Sequence, residues 1–432
     1  DQVERERIPE TGRLLVVANH PSGALDALAL LHLVGSVRRD VRVVANDLLG
    51  AVSPLRDLLL PVRIVGGRPT AESLRAVEAA LEQEQCVIVF PAGEVSRLGW
   101  RGVRDGRWRR GFLRFARSTN TPVLPVQVQA RNSALFYGVS ALYRPAGMLM
   151  LAREVFARRG SRIGLRIGQA RHITADQTDA RALSAVRQAL GAIGSRREAK
   201  PQGPQPLAHA VDRRLLVREL SRLPLLGRTP DGKRIHAGPL AADSPLLREI
   251  GRLREITFRA VGEGTGKRLD LDAYDTWYDH IVLWDGEALE IAGAYRVAPG
   301  ERVYAERGLE GFYTASLFTY PCHLLPRLMQ SVELGRSFVA PAYQGSRSLD
   351  YLWLGIGAYL RHQPGARYLF GPVSISADLP LAAREQMVAY YTRYFGDAGD
   401  GVAANRPFRF LATPPDFGDL GADDAFRLLK AN

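Results

Sequence analysis

The uninterrupted apolar run Leu14-Leu15-Val16-Val17 stops at Ala18-Asn19-His20-Pro21-Ser22-Gly23-Ala24-Leu25-Asp26, and across residues 25–34 an apolar residue returns on nearly every turn of a helix. A short continuous apolar run has the length of a buried strand, whereas the recurrence after it has the helical period. The same alternation comes back along the first half: residues 41–45, 86–90, 121–128 and 161–169 read as further strands, 72–84 and 180–193 as helices. The first half therefore reads as α/β. His20 stands at a strand-to-helix junction, where an imidazole is partly wet, titrates near neutrality and can take a proton from an alcohol. Asp26 is spaced to hold the ring in one tautomer. A histidine that only caps the following helix fits this stretch equally well.

At 432 residues the chain exceeds one ordinary core and suits two domains of about 200 residues each. The polar, proline-rich Ser195-Arg196-Arg197-Glu198-Ala199-Lys200-Pro201-Gln202-Gly203-Pro204-Gln205-Pro206 reads as a linker. The domains expected are residues 1–195 and 226–432, with 196–225 connecting them. The net charge of +13 belongs wholly to residues 1–200, which hold 31 basic and 18 acidic side chains; the remainder holds 27 of each. Such a basic half suits an anionic membrane surface, an acidic protein or nucleic acid. No nucleic-acid-binding signature accompanies it. Cys86 and Cys322 lie far apart, so neither a disulfide framework nor a cysteine metal site is expected, and a reducing compartment fits. No membrane-spanning run appears, and the first residues do not read as a secretory signal.

Polar chemistry collects where the apolar runs end. Arg63 and Arg68 flank Gly66-Gly67, which suits phosphate or simply a solvated strand end. Residues 86–90 run into Pro91-Ala92-Gly93-Glu94-Val95-Ser96-Arg97, so this loop and His20 can face one crevice beyond the carboxyl ends of the strands. Residues 101–110 place five arginines around Trp108, either a contact for acidic headgroups or a solvated face. Residues 134–156 are strongly apolar with tyrosines and arginines interspersed, suiting either the membrane interface or a buried helical hairpin.

Over residues 10–195 these blocks resemble the glycerol-phosphate and lysophosphatidate acyltransferase superfamily. Asn19-His20 with Asp26 resembles its His-Asp motif, Arg63 to Arg68 its arginine-bearing motif, Phe90-Pro91-Ala92-Gly93-Glu94 its Phe-Pro-Glu-Gly block, and Pro122-Val123-Leu124-Pro125-Val126 its proline-containing strand. Five residues separate His20 from Asp26 where four are usual, and Ala92 replaces the usual glutamate. These variants resemble the hemolysin-related branch. The resemblance implies that His20 deprotonates a lysolipid hydroxyl, that Asp26 orients it, and that Asn19, Arg63, Arg68, Gly93, Glu94 and Arg97 contact substrate.

In the second half, Gly262-Glu263-Gly264-Thr265-Gly266 leads into Asp270, Asp272 and Asp275, an acidic cluster fit for a metal, for a cationic amine or for nothing beyond a surface loop. Residues 281–284, 290–297 and 331–339 read as successive antiparallel strands, with Asp285-Gly286 as a hairpin turn. Tyr343-Gln344-Gly345-Ser346-Arg347-Ser348 then enters a helix over 349–361, and 368–374 reads as another strand.

Over about residues 240–400 this order resembles the α+β GNAT fold. Gly262-Glu263-Gly264-Thr265-Gly266, Asp270-x-Asp272-x-x-Asp275, Glu333-Leu334-Gly335-Arg336-Ser337 and Leu352-Trp353 resemble the ornithine-lipid N-acyltransferase branch, which is related to acyl-homoserine-lactone synthases. The resemblance implies Glu333 as the catalytic carboxylate, Asp272 and Asp275 holding an amino-acid amine, and Glu263, Arg336 and Arg347 near substrate or donor. It further implies no bound cofactor and no metal, an acyl donor carried by acyl carrier protein or coenzyme A, and lysolipid and amino-acid substrates. An ornithine-lipid synthase on the inner face of the cytoplasmic membrane is the expectation; glycine or another amine, or an inactive GNAT-like scaffold, are the alternatives.

Overall fold

The computed structural model describes residues 2–46, 53–62, 64–65, 68–99, 102–130, 163–174, 176–195, 198, 203–376, 379–396, 401–411 and 416–431. The chain divides into two compact units, Asp1–His209 and Ala210–Asn432, each with its own six-stranded sheet. Described residues on both sides of this boundary are packed into the units. His209 Nε2 lies 2.8 Å from the Ile8 carbonyl, and Ala208 is buried. Helix Arg213–Leu220 sinks Leu216 and Leu220 into the second core. The sequence masks this helix because it is only eight residues long and three of them are arginine.

In the first unit, strands β1 (Leu14–Ala18), β2 (Val41–Asn46), β3 (Leu59–Val62), β4 (Cys86–Val89), β5 (Val123–Gln129) and β6 (Gly164–Ile167) are ordered β6-β5-β1-β4-β2-β3. All neighbours are parallel except β6, which runs against β5. β1 is flanked on both sides and every residue in it is buried, which is why it reads as an unbroken apolar run. Leu15 and Val17 pack on one face with Val77, Trp108, Phe112 and Val186. Leu14 and Val16 pack on the other with Leu30 and Val34 of helix α1 (Ala24–Gly35). Each such side chain contributes about 1.5–3 kcal/mol of burial. Between β1 and α1 the chain turns over five residues, and Gly23 at φ +82° supplies a conformation that a residue with a Cβ would resist.

The second unit is a meander. Strands β7 (Leu225–Arg228), β8 (Arg234–Pro239), β9 (Asp279–Asp285), β10 (Glu290–Pro299) and β11 (Ser331–Val339) pair antiparallel in sequence order. Helix α2 (Ser348–Leu360) then crosses over to β12 (Tyr368–Phe370), which lies parallel to β11. The two pair only from Ser331↔Tyr368 to Glu333↔Phe370. At the end of that pairing Gly371 lies so close to β11 that an added Cβ would meet the Leu334 carbonyl oxygen at 2.1 Å. Helix α3 (Pro245–Ala260), capped by Ser244 and opened by proline, packs its apolar side into the core shared with Val282 and Trp284. The α/β and α+β expectations match this architecture. The strand at 225–228 and the terminal helices Leu381–Phe395 and Ala422–Ala431 are additions to it.

Candidate active sites

In the first unit the turn after β1 winds around one carboxylate. Asp26 is fully buried; its Oδ2 accepts the N–H groups of Ser22 at 2.8 Å and Gly23 at 3.0 Å, and Oδ1 accepts the Ser22 hydroxyl. Three donors fix the carboxylate before any substrate arrives. His20 Nδ1 lies 3.1 Å from the same Oδ2 but has no aligned hydrogen bond, so the ring approaches its partner with the N–H off the line. Catalytic contacts are commonly long in the unliganded state and tighten on binding. Phe90 stacks on the imidazole at 4.1 Å and 30°, and 17% of the histidine side chain is exposed. Nδ1 faces the buried acid, which leaves Nε2 as the nitrogen to take a proton. The helix N-cap is Gly23, so His20 does not cap α1, and its ring stands against Asp26 in the geometry a base and its orienter would need.

A second acid holds the backbone. Asp105 Oδ1 accepts the His20 N–H at 3.1 Å and the Ser96 hydroxyl, and its Oδ2 accepts the Trp108 indole N–H at 2.9 Å. Ser96 N–H in turn donates to the His20 carbonyl at 2.8 Å. The loop after β4 is thereby pinned to the His20 turn, so Gly93 and Glu94, both exposed, sit on the same end of the sheet as the histidine. Asp105 carries no motif that the sequence would have flagged, and Trp108 stood out only as the centre of the arginine-rich stretch 101–110.

Asn19 departs from its expected role. Its amide donates to the Val128 carbonyl at 2.9 Å and accepts the Val128 N–H at 2.7 Å, so both ends clamp β5 rather than meet a substrate. Arg63 lies outside the described residues, as does the whole apolar stretch 134–156. Arg68 pairs with Val65, and Arg97 with Arg104, in short two-stranded hairpins; their side chains lie outside the described residues.

In the second unit Glu333 sits where β11 and β12 part, 1% exposed. Its Oε1 accepts the Thr314 N–H at 2.8 Å, and Oε2 accepts the Tyr313 N–H at 3.2 Å and the Tyr278 hydroxyl. Burial and the adjacent Glu333 push the Tyr278 phenol far above the usual tyrosine range, so it stays a donor. Three residues further on, a register shift adds one residue to β11 opposite β10 and leaves Arg336 at φ +49°. A non-glycine residue in that region costs about 1–2 kcal/mol. The bulge aims Arg336 back to Asp270 at 3.4 Å and Asp272 at 3.8 Å.

The acidic cluster is not a free surface. Arg254 forks onto Asp275 at 2.8 and 2.9 Å, Arg296 reaches Asp272 at 2.6 Å and Asp275 at 3.2 Å, and both guanidiniums are 1% exposed. Despite its burial, Asp275 is held well below the usual carboxylate range by these arginines and the Asp272 N–H. Burial instead raises Asp270. Tyr274, Tyr278 and Tyr313 ring the Arg296 guanidinium at 5.8, 5.1 and 5.4 Å. Asp275 is therefore a structural counter-ion and does not hold an amine, because every oxygen already has a cationic partner. Asp272 is also paired, to Arg296 at 2.6 Å and Arg336 at 3.8 Å, but keeps 26% of its side chain exposed. Glu263 is exposed, and its glycine-rich loop closes on buried Glu255, which accepts from Thr265 and Gly266. Arg347 is exposed at the start of α2, 3.6 Å from Asp350. Arg254, Arg296, Tyr278 and Tyr313 are the residues that sequence reasoning missed. A lone arginine inside the apolar β10 run, Ala294-Tyr295-Arg296-Val297, was the available signal. Among the described residues no cluster of His, Cys, Asp and Glu could hold a metal ion.

The geometry is thus an imidazole–carboxylate pair on a mostly parallel sheet in one unit, and a carboxylate at a strand fork in the other. The chain matches the family described as acyltransferase over residues 2–190, and the acetyltransferase (GNAT) domain over residues 253–354. It carries an acyltransferase domain followed by a GNAT domain.

Among curated proteins it is 36% identical over 198 residues to a glycine N(alpha)-acyltransferase of Phocaeicola vulgatus, covering 43% of this chain and 61% of that one. It is 32% identical over 171 residues to a lyso-glycine lipid O-acyltransferase of the same organism (38% and 61%). It is 33% identical over 148 residues to an L-ornithine N(alpha)-acyltransferase of Brucella abortus (31% and 51%). The chain spans about three fifths of the length of the first of these relatives.

Proposed function

We propose that the chain performs two acyl transfers and makes a diacylated aminolipid. The second unit joins a 3-hydroxyacyl chain to the α-amine of an amino acid, and the first unit esterifies the resulting hydroxyl. The observation that carries this reading is the His20–Asp26 pair and the Glu333 fork on one polypeptide, together with relatives of both kinds, N-acyltransferases and lyso-lipid O-acyltransferases.

In the esterification, His20 Nε2 takes the hydroxyl proton and the oxygen attacks the thioester carbonyl. The thiolate leaves and recovers the proton from the imidazolium, whose positive charge is stabilised by Asp26. In the amide step, the ammonium group first loses a proton to a carboxylate or to a water that it holds. Glu333 or Asp272 serves as that carboxylate, with Arg336 3.8 Å from Asp272. The free amine then attacks the thioester carbonyl, the C–S bond breaks and the thiolate takes up a proton. The thioesters come from acyl carrier protein, whose acidity complements the arginine-rich first half, or from coenzyme A. The product is an amphiphile, which favours work at an anionic membrane surface; no described helix is long and apolar enough to cross a membrane.

Ornithine is the amino acid that the Gly262 to Asp275 and Glu333 to Ser337 words favour. Glycine is a second reading, supported by the glycine N(alpha)-acyltransferase and lyso-glycine lipid O-acyltransferase matches. Expression in a host without aminolipids, followed by mass spectrometry of extracted lipids, separates them. A new ornithine or glycine lipid names the amino acid, and the absence of any new lipid removes the proposal in favour of a non-catalytic scaffold.

A further inference from the structure

Beside the His20 turn lies an open concavity of about 610 Å³ lined by Ala92, Glu94, Arg107, Trp108, Arg109 and Arg110. We propose that it is the headgroup subsite of the O-acylation unit and that its arginines take the carboxylate of the acceptor lipid. This inference rests on the aminolipid reading above, in which the acceptor is an N-acyl amino acid whose carboxylate is separated from its hydroxyl by only a short chain of atoms.

Three observations carry it. The volume is that of a small-ligand pocket and suits a polar headgroup. Arg107, Arg109 and Arg110 are exposed, and none makes an ion pair among the described residues, so three guanidinium forks are available against the one carboxylate of Glu94. Guanidinium complements carboxylate in paired, charge-assisted hydrogen bonds. Finally, the wall is bolted to the catalytic turn: Trp108 Nε1 and the His20 N–H share Asp105, and the Arg109 N–H donates to the Pro91 carbonyl at 2.8 Å. A headgroup seated there stands at a fixed offset from the imidazole, which is the condition for effective proximity.

The test uses the full chain with N-(3-hydroxypalmitoyl)glycine, its ornithine counterpart and the methyl ester of each as acceptors. Palmitoyl thioesters of 4′-phosphopantetheine and of N-acetylcysteamine, the latter without phosphate, serve as donors. Wild type is expected to show a KM about tenfold or more lower for the free acids than for the esters. In Arg109→Gln, Arg110→Gln and the double variant that preference shrinks toward unity, with thermal melting unchanged because both side chains are exposed. If the preference for the acid survives in the double variant, the subsite assignment is overturned. It is equally overturned if the variants instead lose only the preference for the phosphorylated donor, which would make the arginines a donor-phosphate site. If wild type acylates lysophosphatidate but no N-acyl amino acid, the aminolipid reading fails and takes the carboxylate assignment with it. A raised KM of the variants for lysophosphatidate then marks a phosphate-binding acceptor site.

Discussion

The phenol of Tyr278 donates to Oε2 of Glu333, the oxygen that also takes the Tyr313 N–H at 3.2 Å. The carboxylate at the strand fork is thus oriented by a side chain 55 residues away that cannot ionise in the physiological range. Tyr278→Phe removes a buried hydrogen bond to a charged group, worth about 1.5–3 kcal/mol. The second unit is expected to melt lower by an amount of that order, and the N-acylation rate to fall while O-acylation of supplied lyso-lipid persists. Equal loss of both activities would refute the assignment of Glu333 to one reaction.

Replacing His20 by alanine removes the proposed proton acceptor and changes no residue of the second unit. Cells expressing that variant should accumulate the monoacylated aminolipid and lack the diacylated form. A general base contributes typically 10²–10⁴-fold, and esterification by the purified variant should fall by about that factor. Asp26→Asn should lower kcat with little change in KM, since the buried carboxamide can no longer hold the ring as the acid does. Loss of the amide product in either variant would show that the two reactions are not divided between the units as proposed.

The Asn19 amide, with both ends on Val128, is expected to act on folding rather than on binding. Asn19→Ala should lower the melting temperature of the first unit, with two hydrogen bonds at about 0.5–1.5 kcal/mol each at stake. KM for the acceptor should stay unchanged. A raised KM with unchanged melting would restore Asn19 as a substrate contact.

Burial pushes His280 down from 6.5 to about 4, and its Nε2 lies 2.9 Å from the Asp275 carbonyl, so the neutral ring belongs to the folded state. An unfolded chain protonates this histidine as pH falls through 6.5, whereas the folded one waits until about 4. The second unit therefore loses stability across that window, by on the order of 3 kcal/mol from this group. Asp275, held low by Arg254 and Arg296, keeps its contribution throughout the window and yields it only below the unfolded value of 3.8. Asp270, raised by burial, has the opposite sign and favours the folded state on the acid side. Chemical denaturation of His280→Gln between pH 6.5 and 4 should show a flatter slope than wild type; an unchanged slope would locate the sensitivity elsewhere.

The parts of this molecule that were legible in the sequence share a physical property: their signal is local. β1 reads as a strand because sheet neighbours on both sides and layers on both faces demand unbroken apolar chain. Asp26 reads as His20's partner because the two lie on one short turn. The parts that were not legible depend on distance along the chain. Asp105 reaches the His20 N–H from 85 residues away, and Arg296 meets Asp272 across 24, with nothing in the local composition to announce either. Asn19 misleads for the opposite reason: it adjoins the histidine in sequence, but its side chain turns back to the sheet. Helix Arg213–Leu220 carries so many arginines that it resembles connecting chain, although two leucines bury one side of it.

Among the described residues neither sheet borrows a strand from the other half, and each unit has its own core on its own side of His209. Because one chain carries both units, every copy of one is synthesised with a copy of the other. In the proposed two-step sequence, an intermediate released by one unit meets the other at a local concentration set by the connecting chain instead of by expression level. Severing that tether should leave both chemistries intact and change only how much half-finished lipid escapes.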